Sequence, residues 1–274
     1  GWGRQIWVGL STADWSLTAG RQYSPLWQSL IHADASGQTY WGNSNLTGIN
    51  LANGATAGDG TQGAMARINN SVLGSITAGG FTGRLMLAAG DEASTSAGRL
   101  INPGFTYTSG PLGFSASYLR QKQGAREIPA GANPGWHQAL ALGAQLDLGL
   151  ARLHAGYFML DPSERHAVLT SATTLKTESY NLGAVVPFKS DRLIAQVYAT
   201  RFDRTAGTPQ GRATTLALTG EHALSKRSFV YASWAHVSNN ATASLGLFSA
   251  TASFAASGLG QDPSVLALGL RHAF

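Results

Sequence analysis

Residues 140–160 read Leu140-Ala141-Leu142-Gly143-Ala144-Gln145-Leu146-Asp147-Leu148-Gly149-Leu150-Ala151-Arg152-Leu153-His154-Ala155-Gly156-Tyr157-Phe158-Met159-Leu160, and this stretch decides the fold. Leu140, Leu142, Ala144, Leu146 and Leu148 fall on one side of a period-two pattern, with Gly143, Gln145 and Asp147 on the other. After Leu148-Gly149 the pattern resumes. Ala151, Leu153, Ala155, Tyr157 and Met159 now alternate with Arg152, His154 and Gly156. Successive strand side chains point to opposite faces, so these are two half-apolar strands joined by a tight turn.

The same pattern spreads outward in both directions. Tyr180, Leu182, Ala184 and Val186 alternate with small polar residues, as do Leu216 and Leu218, and later Leu266, Leu268 and Leu270. The pattern predicts about thirteen strands, beginning near Trp2, Trp15, Met65, Phe81, Leu100, Leu112, Trp136, Leu150, Lys176, Arg192, Arg212, Arg227 and Ser264. Connections alternate in length. Short turns fall at 109–111, 147–149, 189–191 and 225–226, and long ones at about 91–98, 122–134, 160–174, 203–211 and 238–263. Short turns at one end and long loops at the other describe an up-and-down transmembrane barrel, all-β and antiparallel.

Composition agrees. Only 12% of residues are charged, about half the usual quarter for soluble domains. No stretch reaches the roughly 18 apolar residues of a membrane helix, but barrel strands are short and half apolar. A sandwich buries its apolar face, whereas a wide barrel turns it to lipid and keeps the polar face wet. Aromatic residues near strand ends, such as Trp15, Tyr107 and Phe188, suit a membrane interface. There is no Cys, which removes disulfides and thiolate chemistry. The net charge is +5, but the 19 basic residues are scattered, which argues against nucleic acid as a partner. An odd strand count leaves two edges open in lipid. It therefore raises the expectation that the chain lacks its N-terminal part.

Several segments resemble the Gram-negative general diffusion porins of the neisserial and burkholderial type. They are Gly3-Arg4-Gln5-Ile6-Trp7-Val8-Gly9-Leu10, Gly20-Arg21-Gln22-Tyr23, Arg67-Ile68-Asn69-Asn70-Ser71-Val72, Leu224-Ser225-Lys226-Arg227-Ser228 and Leu268-Gly269-Leu270-Arg271-His272-Ala273-Phe274, in family order. The resemblance implies a sixteen-stranded barrel of which residues 1–274 form a single domain holding the last thirteen strands. It also implies a homotrimer in the bacterial outer membrane, surrounded by lipid and lipopolysaccharide and passing small hydrophilic solutes and ions.

Residues 24–64 form a connection of about forty residues, a length that is usually functional or disordered. It carries Asp34 and Asp59, with no Lys or Arg between Arg21 and Arg67. In the resembled family this loop folds into the barrel and sets the bore, and arginines matching Arg4 and Arg67, with Arg21 in a neighbouring block, line the facing wall. Acid on the loop and base on the wall would set a transverse field across a narrow aqueous path. Arg4, Arg21, Arg67, Asp34 and Asp59 are therefore the expected constriction. Arg152, Arg192 and Arg271, on polar faces of later strands, are expected to line the channel and tilt it toward anions. Because Arg4 alternates with Gln5 and Trp7, a lumenal Arg4 requires Ile6, Val8 and Leu10 to face inward beneath the loop. No Gly-x-Ser-x-Gly, His-Glu-x-x-His, Walker or dinucleotide fingerprint occurs. The expectation is a passive diffusion channel that is not an enzyme and uses no cofactor or metal. A substrate-specific channel and a barrel with a hydrolase or adhesive role are the alternatives.

Overall fold

The computed structural model describes residues 5–42, 66–89, 99–122, 135–161, 176–203, 209–248, 253–254 and 256–273. Strands β1 (Ile6–Ser11) and β2 (Trp15–Tyr23) precede helix α1 (Pro25–Ala33). Then follow β3 (Arg67–Ala78), β4 (Phe81–Ala88), β5 (Leu100–Ser109), β6 (Leu112–Lys122), β7 (Trp136–Asp147) and β8 (Arg152–Asp161). The second half holds β9 (Thr177–Phe188), β10 (Asp191–Phe202), β11 (Gly211–Ala223) and β12 (Ser228–Asn239). A small hairpin, β13 (Leu247–Phe248) with β14 (Ser253–Phe254), precedes β15 (Ser264–His272).

Thirteen strands form one sheet in the order β1 to β12 and then β15, each antiparallel to its neighbours. This is the up-and-down order that the alternating loop lengths predict. Several strands start one or two residues away from the position read from sequence, as β8 does at Arg152. The hairpin β13–β14 and helix α1 were not anticipated. The two-residue turn Gly79-Gly80 has both residues at positive φ, 55° and 80°, as a hairpin of this hand requires.

Register assigns every strand residue to a face. One cross-strand row runs Ser117, Ala141, Phe158, Ser179, Thr200. Phe158, Ser179 and Thr200 are at most 1% exposed. The adjacent row runs Phe105, Ala116, Leu142, Tyr157, Tyr180, and here Leu142 and Tyr180 are 42% and 47% exposed. The first face is inner: the chain after β2 packs on it, reaching from β5, where the Leu26 backbone N–H donates to Asn102 at 3.0 Å, to the Ala217 methyl of β11 beside Gly42. The wall therefore curves around this segment. The inner face is largely Ser, Thr, Asn, Gln and small residues, and the outer face is apolar, the reverse of a soluble sandwich.

The faces of β1 correct one expectation. Trp7 pairs with Gly20, which pairs with the inner residue Ser71. Trp7 and Gly9 are therefore inner, and Ile6, Val8 and Leu10 are outer, at 57%, 75% and 70% exposure. Alternation alone gives two faces without saying which is inside; the partner strand supplies that.

Candidate pore constriction

Helix α1 starts where sequence chemistry favours a start. The Ser24 hydroxyl accepts the Trp27 N–H at 3.1 Å, and Pro25 occupies the first turn. Leu26, Leu30 and Ala33 then lie on one face at helical spacing and are buried. Leu26 and Leu30 pack into a core with Met86, Leu119, Ala141 and Phe158 from the inner wall.

The wall is shaped to receive the helix end. A Cβ on Gly156 would lie 2.8 Å from the Ala33 Cβ, and one on Gly143 would lie 3.0 Å from it. Only glycine lets the segment come this close. Polar side chains then hold its backbone. Asn181 Nδ2 donates to the Ala33 carbonyl at 2.8 Å, Gln145 Nε2 to the His32 carbonyl at 2.6 Å, and the Ala35 N–H to Gln196 Oε1 at 3.0 Å. Capturing carbonyls at the helix C-terminus satisfies groups that a helix leaves unpaired.

Asp34 is the centre of this anchorage. It is 1% exposed. Its carboxylate accepts the Ser36 N–H at 2.6 Å and hydroxyl at 2.7 Å, Gln38 Nε2 at 2.6 Å, and the Tyr198 hydroxyl of β10 at 2.7 Å. Burial pushes the Asp34 carboxyl above the usual carboxylate range, and the hydrogen bonds from Ser36, Tyr198 and Gln38 partly oppose this. Burial also lowers the His32 imidazole.

A second tie lies further along. The Tyr40 hydroxyl donates to Glu221 of β11, and its ring lies 5.0 Å from that of Tyr231. Burial and the Glu221 hydrogen bond raise the Tyr40 phenol. Glu221 also takes a two-pronged contact from Arg192 of β10, through Nε and, at 2.8 Å, through Nη2.

The expected site residues separate. Arg4 and Asp59 lie outside the described residues, as does all of the connection beyond Gly42. Arg21 pairs with the outer residue Ile6, and its guanidinium donates to Asn69. Arg67 stands beside Tyr23, donating to its hydroxyl at 3.1 Å with the guanidinium 5.0 Å from the ring. Asp34, expected to face these arginines, instead reaches β10 and is enclosed by hydrogen-bond donors. Its carboxylate holds the loop down and is not presented to an aqueous path. Between Gly20 and Gln22 the facing strand β3 runs from Ser71 to Ile68, a bulge on β3 that leaves the alternation of β2 intact, so Arg21 stays on the outer face.

Register puts Arg152, Arg192 and Arg271 on the inner face. Arg152 pairs with Asp147 at 2.8 Å, and Arg271 lies 6.0 Å over the Phe229 ring. Sequence reading missed Arg84 of β4, an inner residue whose Nη1 donates to Thr106 Oγ1 at 3.1 Å. Its alternation with Leu85 and Leu87 carried the signal. Among the charged residues described on strands, the inner face holds Arg84, Arg152, Arg192 and Arg271 against Asp147 and Glu221. Among the described residues, Arg84 and Arg271 make no ion pair.

A long-loop, short-turn β wall with a polar inner face, and a connection folded along it, is the architecture of an outer-membrane β-barrel. The chain belongs to the Gram-negative porin family, whose sequence model matches residues 1–242, and this places it in the bacterial outer membrane. It is 28% identical over 179 residues to outer membrane porin protein 32 of Delftia acidovorans, a match covering 65% of this chain and 47% of that protein. The chain thus spans about half the length of this curated relative. An anion-selective porin from Comamonas acidovorans superposes with a TM-score of 0.75 at 24% identity, covering 99% of this chain and 78% of that one. OmpT of Vibrio cholerae gives 0.71 at 14% identity, covering 98% and 80%. These likenesses establish the fold.

Proposed function

We propose that the protein is a passive, water-filled diffusion channel for small hydrophilic solutes and ions, leaning toward anions and acting as a homotrimer among outer-membrane lipid and lipopolysaccharide. The observation that carries this reading is the inner face. It is polar, four arginines outnumber two carboxylates among its residues described on strands, and the chain from Pro25 to Gly42 lies along it instead of leaving the barrel. Residues 24–64 are the proposed constriction segment of a single barrel domain. A cationic wall in a low-dielectric slot concentrates anions without binding them tightly. No catalytic step, metal or nucleotide enters this reading. The anion-selective relative and the trimer form of Vibrio cholerae OmpT support the preference and the assembly by likeness. Arg67, at the base of the segment, is proposed to contribute to the field at its entrance, whereas Arg21 stands on the outer face and is left out of this reading.

The test is planar-bilayer conductance of the protein extracted from outer membranes, under a salt gradient. Ohmic openings that close in thirds, with a reversal potential favouring anions, are expected. A silent bilayer from folded, heat-modifiable protein would overturn the reading.

A further inference from the structure

The outer face of β6 reads Phe114, Ala116, Tyr118, Arg120, Lys122 toward the end where the long connections lie. Its last two members are cations two residues apart on one face, about 7 Å along the strand. Both rest on the same indole: the Arg120 guanidinium is 4.5 Å and the Lys122 ammonium 5.3 Å from the Trp136 ring centroid. Neither has an ion-pair partner among the described residues; the nearest outward carboxylate in register, Asp161, stands beyond Gln138 on β8. The ring eases the crowding of like charges but does not neutralise it.

Below these cations, toward the short turns, the outer face is hollowed. Ala116, Ala144 and Ala155 floor a trough of about 940 Å³. Phe81 and Phe105, stacked at 5.6 Å, form one wall, and Tyr157 and Tyr180, at 5.0 Å, form the other. An apolar trough beneath two cations has the shape and polarity of an anionic amphiphile with its head toward the long-loop end.

In such barrels the long loops face outward from the cell. The lipid of that leaflet is lipopolysaccharide, whose lipid A carries phosphates. We infer that Arg120 and Lys122, held by Trp136, bind a phosphate of lipid A while one of its acyl chains lies in the trough between the Phe105 and Tyr180 walls. The inference rests on the lipopolysaccharide surroundings proposed above, but not on conduction.

The test uses the intact protein purified in detergent, titrated with lipid A and followed by native mass spectrometry. Each cation near a lipid surface contributes about a five-fold gain in affinity, so R120Q/K122Q should weaken binding about 30-fold. The charge-keeping R120K/K122R variant should retain it. A144W, which fills the trough with both cations in place, should also weaken binding, and dephosphorylated lipid A should bind poorly to every form. Wild-type affinity in R120Q/K122Q would overturn the inference. So would phosphatidylglycerol binding as tightly as lipid A with the same dependence, which would show a general anionic-lipid surface. Conductance read on the same preparations separates the two proposals: a silent protein that binds lipid A as described would sink the channel and keep this site.

Discussion

Replacing Gly156 by Ala should loosen the inner segment. The added Cβ would meet the Ala33 Cβ at 2.8 Å and Asn181 Oδ1 at 2.2 Å. Ordinary contact begins near 3.4 Å, so the segment must retreat by about half an ångström or more while Asn181 swings aside. Asn181 cannot move without straining its 2.8 Å bond to the Ala33 carbonyl. Overpacking of this kind costs about 1–3 kcal/mol and a lost buried hydrogen bond about 1 kcal/mol more. A shift of about 2–4 kcal/mol raises the detached population by roughly thirty-fold to a thousand-fold. Single-channel recording reads this directly: G156A should show altered unit conductance and greater open-channel noise. Gly220 is the control, because a Cβ there meets nothing within 4 Å. G156A and G220A both indistinguishable from wild type would refute the idea that contact at Gly156 sets the position of the segment.

Other outcomes follow from the charges. Glu221→Gln removes the anion from Arg192 and weakens the Tyr40 tie, so the reversal potential should move toward anions with more current noise; an unchanged potential refutes an aqueous Arg192. Arg84→Gln with Arg271→Gln removes the two inner arginines that make no ion pair among the described residues, and anion preference should fall in salt-gradient recordings. Asp34 gives a pH dependence. Its carboxyl is raised by burial when the segment is docked, so docking is favoured most below the ordinary carboxylate range and weakens as pH rises through the raised value. Noise should therefore increase from acid toward neutral pH, and Asp34→Asn should flatten that trend.

The wall was legible because a strand half in lipid and half in water must alternate, and thirteen segments did so strongly. Turn positions were legible for the same reason. Helix α1 was also written locally, in Ser24, Pro25 and the Leu26, Leu30, Ala33 spacing, but nine residues inside a long connection read as loop. The fate of Asp34 was not legible, since its decisive partner Tyr198 is 164 residues away. Nor was that of Arg21, because alternation gives two faces and only its pairing with the outer residue Ile6 says which one it takes. Long-range pairing and bulges lie outside what period and composition encode.

On the proposed reading, the anion preference is set less by the number of arginines than by what the acids are doing. Three carboxylates were available to offset cations on the described inner side. Asp147 is taken by Arg152, and Glu221 is shared between Arg192 and Tyr40. Asp34 is buried and enclosed by the Ser36, Gln38 and Tyr198 donors, which hold its carboxylate away from the water. A paired or enclosed charge projects little field beyond its partners. The field that reaches a passing ion then comes chiefly from Arg84 and Arg271, which stand on β4 and β15. The carboxylates that anchor the segment on β10 and β11 are withdrawn from the lumen by the same contacts. Anchorage and selectivity are thus coupled: a change that frees the segment while leaving its acids in place returns an acid to the water. Loss of anion preference should therefore accompany loosening of Asp34 from Tyr198, and Tyr198→Phe tests this. Removing one hydrogen bond to a buried carboxylate costs about 1.5–3 kcal/mol. The variant should show more noise and a weaker anion preference together, and a change in one without the other would break the coupling.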